Sequence, residues 1–230
     1  MDFSVFDKRR YPTVTARIGY GEWAREYDST VATGLDQPLL EQLTSPVWNE
    51  FTSAADLACG TGRTGLWLAL KGVRHIDGVD ITPEMLKIAK TRHVYRTLLV
   101  GDVVITALRS HRYDVCTMVL ADEHLIGLGA LYREVNRLLC PGGTFVLIGY
   151  HPFFLMNGIP THFHRPSGEA LAIESHVHLH SEHFLEGTEA GLAVVEFREC
   201  VIDEAWLLSK PKWHDYRNWP VSFALVWRRG

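Results

Sequence analysis

The chain has 230 residues, enough for one α/β unit with a full core, and it reads as a single domain over 1–230. A formal charge of −4 and a pI near 6.3 supply no basic field for a phosphate backbone, so nucleic acid is not expected as a substrate. Four cysteines without C-x-x-C spacing, no secretory signal and no membrane-length apolar run predict a cytoplasmic protein with reduced thiols and no membrane association.

Residues 1–50 read as an N-terminal helical cap. One helix is expected from Gly21 to about Val31 and a second from Pro38 to Phe51, where Leu39, Leu40, Leu43 and Val47 fall at helical spacing and Pro46 introduces a kink. A regular alternation follows. Strands are expected over 53–59, 75–81, 96–100, 113–120 and 143–149, with helices over 62–71, 83–93, 106–110 and 124–140; Thr82 would cap the second of these helices. This βαβαβαβαβ order predicts an α/β, Rossmann-like fold: a mostly parallel sheet with helices on both faces and a ligand beyond the carboxyl ends of the strands. The stretch from His151 to about Ile173 reads as irregular, and its apolar content marks 151–180 as a lid insertion. A helix over 181–190, a strand over 192–200, a Trp-rich linker over 205–220 and a strand over 221–229 close the chain.

The organising stretch is Asp56-Leu57-Ala58-Cys59-Gly60-Thr61-Gly62-Arg63-Thr64-Gly65. Its glycines satisfy G-x-G-x-x-G, and Asp80 lies twenty residues beyond Gly60, so a dinucleotide such as NAD is one reading. Asp56 opposes it, because a carboxylate there would face a pyrophosphate. S-adenosylmethionine carries no phosphate, and its ammonium and sulfonium are cations that a carboxylate attracts. From here the residues resemble the class I S-adenosylmethionine-dependent methyltransferases of the small-molecule type, whose first motif reads D-x-G-C-G-T-G or a close variant; Ala58 stands where glycine is more usual.

The resemblance implies a seven-stranded sheet with an antiparallel C-terminal hairpin strand, and it implies the cofactor's contacts. Asp56, Ala58, Cys59, Gly60 and Gly62 form the loop, and Asp80 would take the ribose hydroxyls. Ile81 and Met85 would pack on the adenine. Gly101, Asp102 and Val103 would meet its edge. Val119 and Leu120 would lie under the sulfur end, and Tyr27, in the Tyr20–Trp23–Tyr27 run of the cap, would close over it.

The Leu-Ala-Asp-Glu-His sequence at the fourth strand end is unlike the N/D/S-P-P-Y/F loop of base-amine methyltransferases, which points to a small-molecule acceptor. The expected reaction is methyl transfer to an oxygen, nitrogen or carbon of a small, partly apolar metabolite, leaving S-adenosylhomocysteine. A base is needed only if the acceptor must lose a proton, and His124, His178 and His180 are the candidates. On a strand, His176, His178 and His180 would share one face and could bind a metal, but lid hydrogen bonds explain them and no metal is expected. A cofactor-binding sensor or partner subunit of the same fold is the alternative, with an NAD-dependent oxidoreductase behind it.

Overall fold

A computed structural model describes residues 1–31 and 33–230. In chain order the elements are β1 (Thr13–Val14), α1 (Ala16–Thr30), α2 (Gln37–Gln42), β2 (Ser53–Leu57), α3 (Arg63–Leu70), β3 (His75–Asp80), α4 (Pro83–Lys90) and β4 (Tyr95–Val100). They continue through β5 (Tyr113–Val119), α5 (Gly129–Leu138), β6 (Leu139–Tyr150), α6 (Pro152–Met156), β7 (His162–His164) and β8 (Ala170–Ile173). The last are α7 (His180–Glu189), β9 (Leu192–Val201), α8 (Glu204–Ser209) and β10 (Pro220–Arg229).

The main sheet has the order β4-β3-β2-β5-β6-β10-β9. The pairings from β4 through β6 are parallel, and β10 runs antiparallel to both β6 and β9. This is the expected sheet. Period-2 alternation divides its residues between two apolar clusters. Ala55, Leu57, Cys116, Met118, Phe145 and Leu147 face α5, whereas Ala54, Ile76, Val115, Val146 and Ile148 face α2 and α3. The strand order reverses between β2 and β5, which leaves a crevice at their carboxyl ends. Among the described residues, no helix is long and apolar enough to cross a membrane.

Local readings differ from the structure where tertiary contacts win. Helix α1 begins at Ala16, not Gly21, because Ala16 and Tyr20 pack on the cluster of Phe163, Leu171 and Ile173. The second helix ends at Gln42, ahead of Pro46, and only a single 3₁₀ turn (Trp48–Glu50) follows. No helix forms over 106–110. There the Thr106 amide and hydroxyl donate to Glu134 Oε1 at 2.8 and 2.6 Å, so the backbone is held by a side chain of α5. The expected helix over 124–140 is a 3₁₀ turn (Asp122–His124) and, after Gly127, α5, which opens on Gly129. Thr82 sits at the cap position of α4 without a capping bond; Asp80 Oδ1 accepts from its amide instead, at 2.8 Å.

The largest difference lies in 151–173, which is ordered into α6, β7 and β8. Strands β7 and β8 pair antiparallel around an Arg165–Glu169 turn, and β1 adds parallel to β8, giving a second, three-stranded sheet laid on α1. The Pro-Ser-Gly turn ahead of the short apolar run Ala170–Ile173 was its signal. The linker over 205–220 likewise contains α8 and a 3₁₀ turn (Pro211–Tyr216).

Candidate functional site

Beyond β2 the chain turns abruptly. Ala58 and Gly60 adopt left-handed φ of 53° and 54°, and the Cys59 amide donates to the Val79 carbonyl at 3.0 Å, tying the turn to β3. For alanine this conformation costs about 1–2 kcal/mol, which is the reason glycine suits position 58 better. A Cβ added at Gly60 would have no heavy atom within 4 Å and would project into the crevice. The other loop glycines serve a different neighbour: a Cβ at Gly65 would lie 2.2 Å from the Tyr95 hydroxyl and one at Gly62 2.9 Å from its ring. Only part of the G-x-G-x-x-G pattern therefore faces a ligand.

The crevice is a cavity walled by Tyr27, Ala58, Gly60, Asp80, Ile81, Met85, Gly101, Asp102, Val103, Val119, Leu120 and His124, with Ala16 and Tyr20 of α1 opposite. Asp80 is buried, and it joins two loops: Oδ2 accepts from the Gly60 amide and Oδ1 from the Thr82 amide, both at 2.8 Å. Burial raises its pKa and those amides oppose the rise. Each oxygen keeps lone-pair capacity for a further donor, so a diol can be held there. Asp102 is exposed; its Oδ1 accepts from the Val104 amide at 3.0 Å, leaving Oδ2 open. Leu120 holds φ 53° at the end of β5 with its amide on the Ile148 carbonyl at 2.7 Å, a strained position for a bulky side chain set in the cavity wall.

Three loop residues fall outside that wall. Asp56 is turned by strand alternation to the face beneath α3, where Tyr95 and Thr117 donate to it. Cys59 is buried, its thiol pKa raised by burial, with Sγ packed against Gly78. Gly62 caps α3.

The candidate bases separate. His124 Nδ1 lies 2.7 Å from the Glu174 carbonyl, which only accepts, so the ring carries its proton there; Nε2 then accepts from the Tyr20 hydroxyl at 2.8 Å. Burial raises the Tyr20 pKa well above the usual phenol value, keeping it a donor. Glu123, 1% exposed and 3.5 Å from His124 Nε2, has its carboxyl raised by burial, with the neighbouring imidazole opposing. Sequence reading missed the Tyr20–His124 bond and Glu123; the adjacent acids Asp122 and Glu123 at a strand end were the available signal.

His178 and His180 do not join them. His178 is buried with Nε2 on the Leu125 carbonyl at 2.8 Å and Nδ1 on Glu182 at 2.9 Å. His180 opens α7, against Phe223 and His151 with ring centroids at 4.6 and 4.7 Å. Burial, then His151, pushes its pKa down to about 4. The three alternating histidines do not converge, because the chain enters α7 at the last of them. His151, His180 and Glu199 do come together, with ligand atoms within 4.8 Å. There the Phe153 amide donates to His151 Nδ1, so Nε2 holds the ring proton and gives it to Glu199 at 2.8 Å. A metal would need that nitrogen bare.

Residues 55–147 match the family model of the methyltransferase domain. The chain is similar to the malonyl-[acyl-carrier protein] O-methyltransferase of Serratia marcescens, 30% identical over 40% of this chain and 35% of that one. It is also 30% identical to the demethylmenaquinone methyltransferase of Staphylococcus saprophyticus, over 42% of this chain and 44% of that protein. The chain thus spans less than half of the length of these curated relatives. Among solved structures, an S-adenosylmethionine-dependent methyltransferase from Mesorhizobium loti superposes with a TM-score of 0.70 at 20% identity, covering 86% of this chain and 99% of that one.

Proposed function

We propose that the chain is a class I S-adenosylmethionine-dependent methyltransferase and that it transfers a methyl group from that cofactor to a small, partly apolar metabolite, a reading supported by the methyltransferase-domain match over residues 55–147 and by the shared fold. The observation that carries the reading is that Gly60, Asp80, Asp102 and Leu120, from four successive strand ends, share one cavity with the Tyr20–His124 pair.

The residues fit the cofactor. The open space at Gly60 admits a ligand against the backbone, and the spare lone pairs of Asp80 and Asp102 accept from ribose hydroxyls and an exocyclic amine. Ile81 and Met85 supply apolar contact. Asp56 acts from behind the loop, as a buried anchor of Tyr95. When bound, S-adenosylmethionine supplies an electrophilic methyl group on a sulfonium.

The protein's share is alignment and the handling of one proton. Tyr20 presents its oxygen to the cavity; it accepts the proton of an approaching hydroxyl while its own passes to His124 Nε2. The Glu174 carbonyl keeps His124 in the tautomer that can receive it. The relatives' names give two dissimilar acceptors, a malonyl carrier protein and demethylmenaquinone, so the acceptor reading rests on this chain's own walls.

Calorimetric titration with S-adenosylhomocysteine tests the reading: micromolar binding is expected, with Asp80→Ala weaker by roughly 1–3 kcal/mol through the lost hydrogen bonds to a carboxylate. Tight NAD binding with indifference to S-adenosylhomocysteine would overturn it. Cofactor binding without product release across a metabolite screen would favour a sensor.

A further inference from the structure

A second cavity, of about 510 Å³, lies on the neighbouring face of α1. Tyr20 and Tyr27 line the first cavity, whereas Trp23, Glu26 and Thr30 line this one. Trp23 forms the partition, stacked on Tyr20 at 6.0 Å and on Phe163 at 5.7 Å between ring centroids. Tyr150, at the end of β6, also borders the second cavity. Burial raises its phenol pKa, and the charges of Glu123 and Tyr27 raise it further.

The floor is apolar and aromatic. Phe154 of α6 and Trp213 stack with ring centroids 5.6 Å apart and planes inclined by 7°, and Phe163 and Ile159 continue the surface. The rim is cationic. Lys210 and Lys212 border the cavity, and neither forms an ion pair among the described residues, where the neighbouring Arg217 takes Glu204. Arg9 donates to the Tyr11 hydroxyl at 3.3 Å and forms no ion pair among the described residues. Burial lowers the pKa of His162, in the same wall; the Pro160 carbonyl opposes this, and the surrounding His164, Arg9 and Lys212 lower it further. Glu26 is the one acid among the described lining residues. Two uncompensated ammonium groups over an aromatic floor, in a cavity of ligand size, suit an anion with an apolar body.

We propose that this cavity binds an anionic amphiphile, with a carboxylate or phosphate head at Lys210 and Lys212 and an apolar body against Phe154, Phe163 and Trp213. The binding chemistry stands on this cavity alone and does not depend on the methyltransferase reading above. Both heads offer the same thing, anionic oxygens accepting from ammonium donors.

Calorimetry with octanoate, octyl phosphate and octanol tests it on the full chain. At least one of the two anions should bind ten or more times tighter than octanol, and whichever does names the head. Lys210→Gln with Lys212→Gln should weaken the anion about tenfold while the melting temperature and S-adenosylhomocysteine affinity stay unchanged; Arg at both positions should restore it. Equal binding of octanol, or full anion affinity in the double Gln variant, overturns the proposal. A wild-type chain that binds the anion but not S-adenosylhomocysteine overturns the cofactor reading and leaves this site standing.

Discussion

The Tyr95 hydroxyl donates to Asp56 Oδ2 at 2.6 Å, and Thr117 donates to Oδ1 at 2.9 Å, so the first acid of the glycine loop is bound inside the protein. Tyr95 fills the space left by Gly62 and Gly65, and its phenol holds the loop from beneath. The strand end and the helix that follows it are thereby joined through one buried carboxyl, which keeps Gly60 in its open position.

That bond makes stability depend on pH. Burial pushes the Asp56 pKa up to about 6, against donors that pull it down. A carboxyl raised on folding binds its proton more tightly in the folded state. Its favourable contribution is therefore present below the unfolded value near 3.9 and is lost as pH rises through 6. Urea unfolding of wild type and Asp56→Asn should show the wild-type advantage shrinking by roughly 2–3 kcal/mol between pH 4 and pH 7. Tyr95→Phe should cost about 1.5–3 kcal/mol at pH 8, where the bond is to a charge, and less at pH 4.5. A pH-independent difference in both variants would reject a titrating Asp56.

The Tyr20–His124 pair predicts a split between chemistry and binding. With an acceptor identified by S-adenosylhomocysteine release, His124→Ala should lower kcat roughly a hundredfold, as loss of a general base does. Tyr20→Phe removes only the oxygen facing the cavity and should lower kcat by roughly tenfold or more on the same scale. Cofactor affinity should stay close to wild type in both. If Tyr20→Phe turns over normally while His124→Ala does not, the imidazole meets the acceptor directly. Normal turnover in both would mean that alignment alone drives the transfer.

His180 supplies the opposite sign of pH dependence. Its pKa, pushed down to about 4, means that the folded chain holds it neutral while the unfolded chain protonates it near 6.5. Stability from this residue is complete above 6.5 and is lost as pH falls toward 4. The residue is only partly buried, so a contribution of about 1–2 kcal/mol is expected once solvent screening is allowed for. Chemical denaturation at pH 7.5 and pH 4.5 should show His180→Gln losing less stability than wild type over that interval. An equal loss would place the acid sensitivity elsewhere.

The alternating strands and helices were legible along the chain because period-2 and period-3.6 patterns are local properties of sequence, and they determined the parallel sheet and its crevice. Asp80, Asp102 and Leu120 could be placed at the crevice for the same reason, since each ends a recognisable strand. Strand alternation also held the information that Asp56 and Thr117 share a face with Ala54 and Val115, but its consequence depended on Tyr95, a partner thirty-nine residues away. Only tertiary structure decided which histidine met Tyr20. It also turned His180 toward His151 and built β7 and β8 into a sheet with β1. Those outcomes follow from contacts between distant segments, where packing outweighs local propensity, and they shaped the second cavity beside α1.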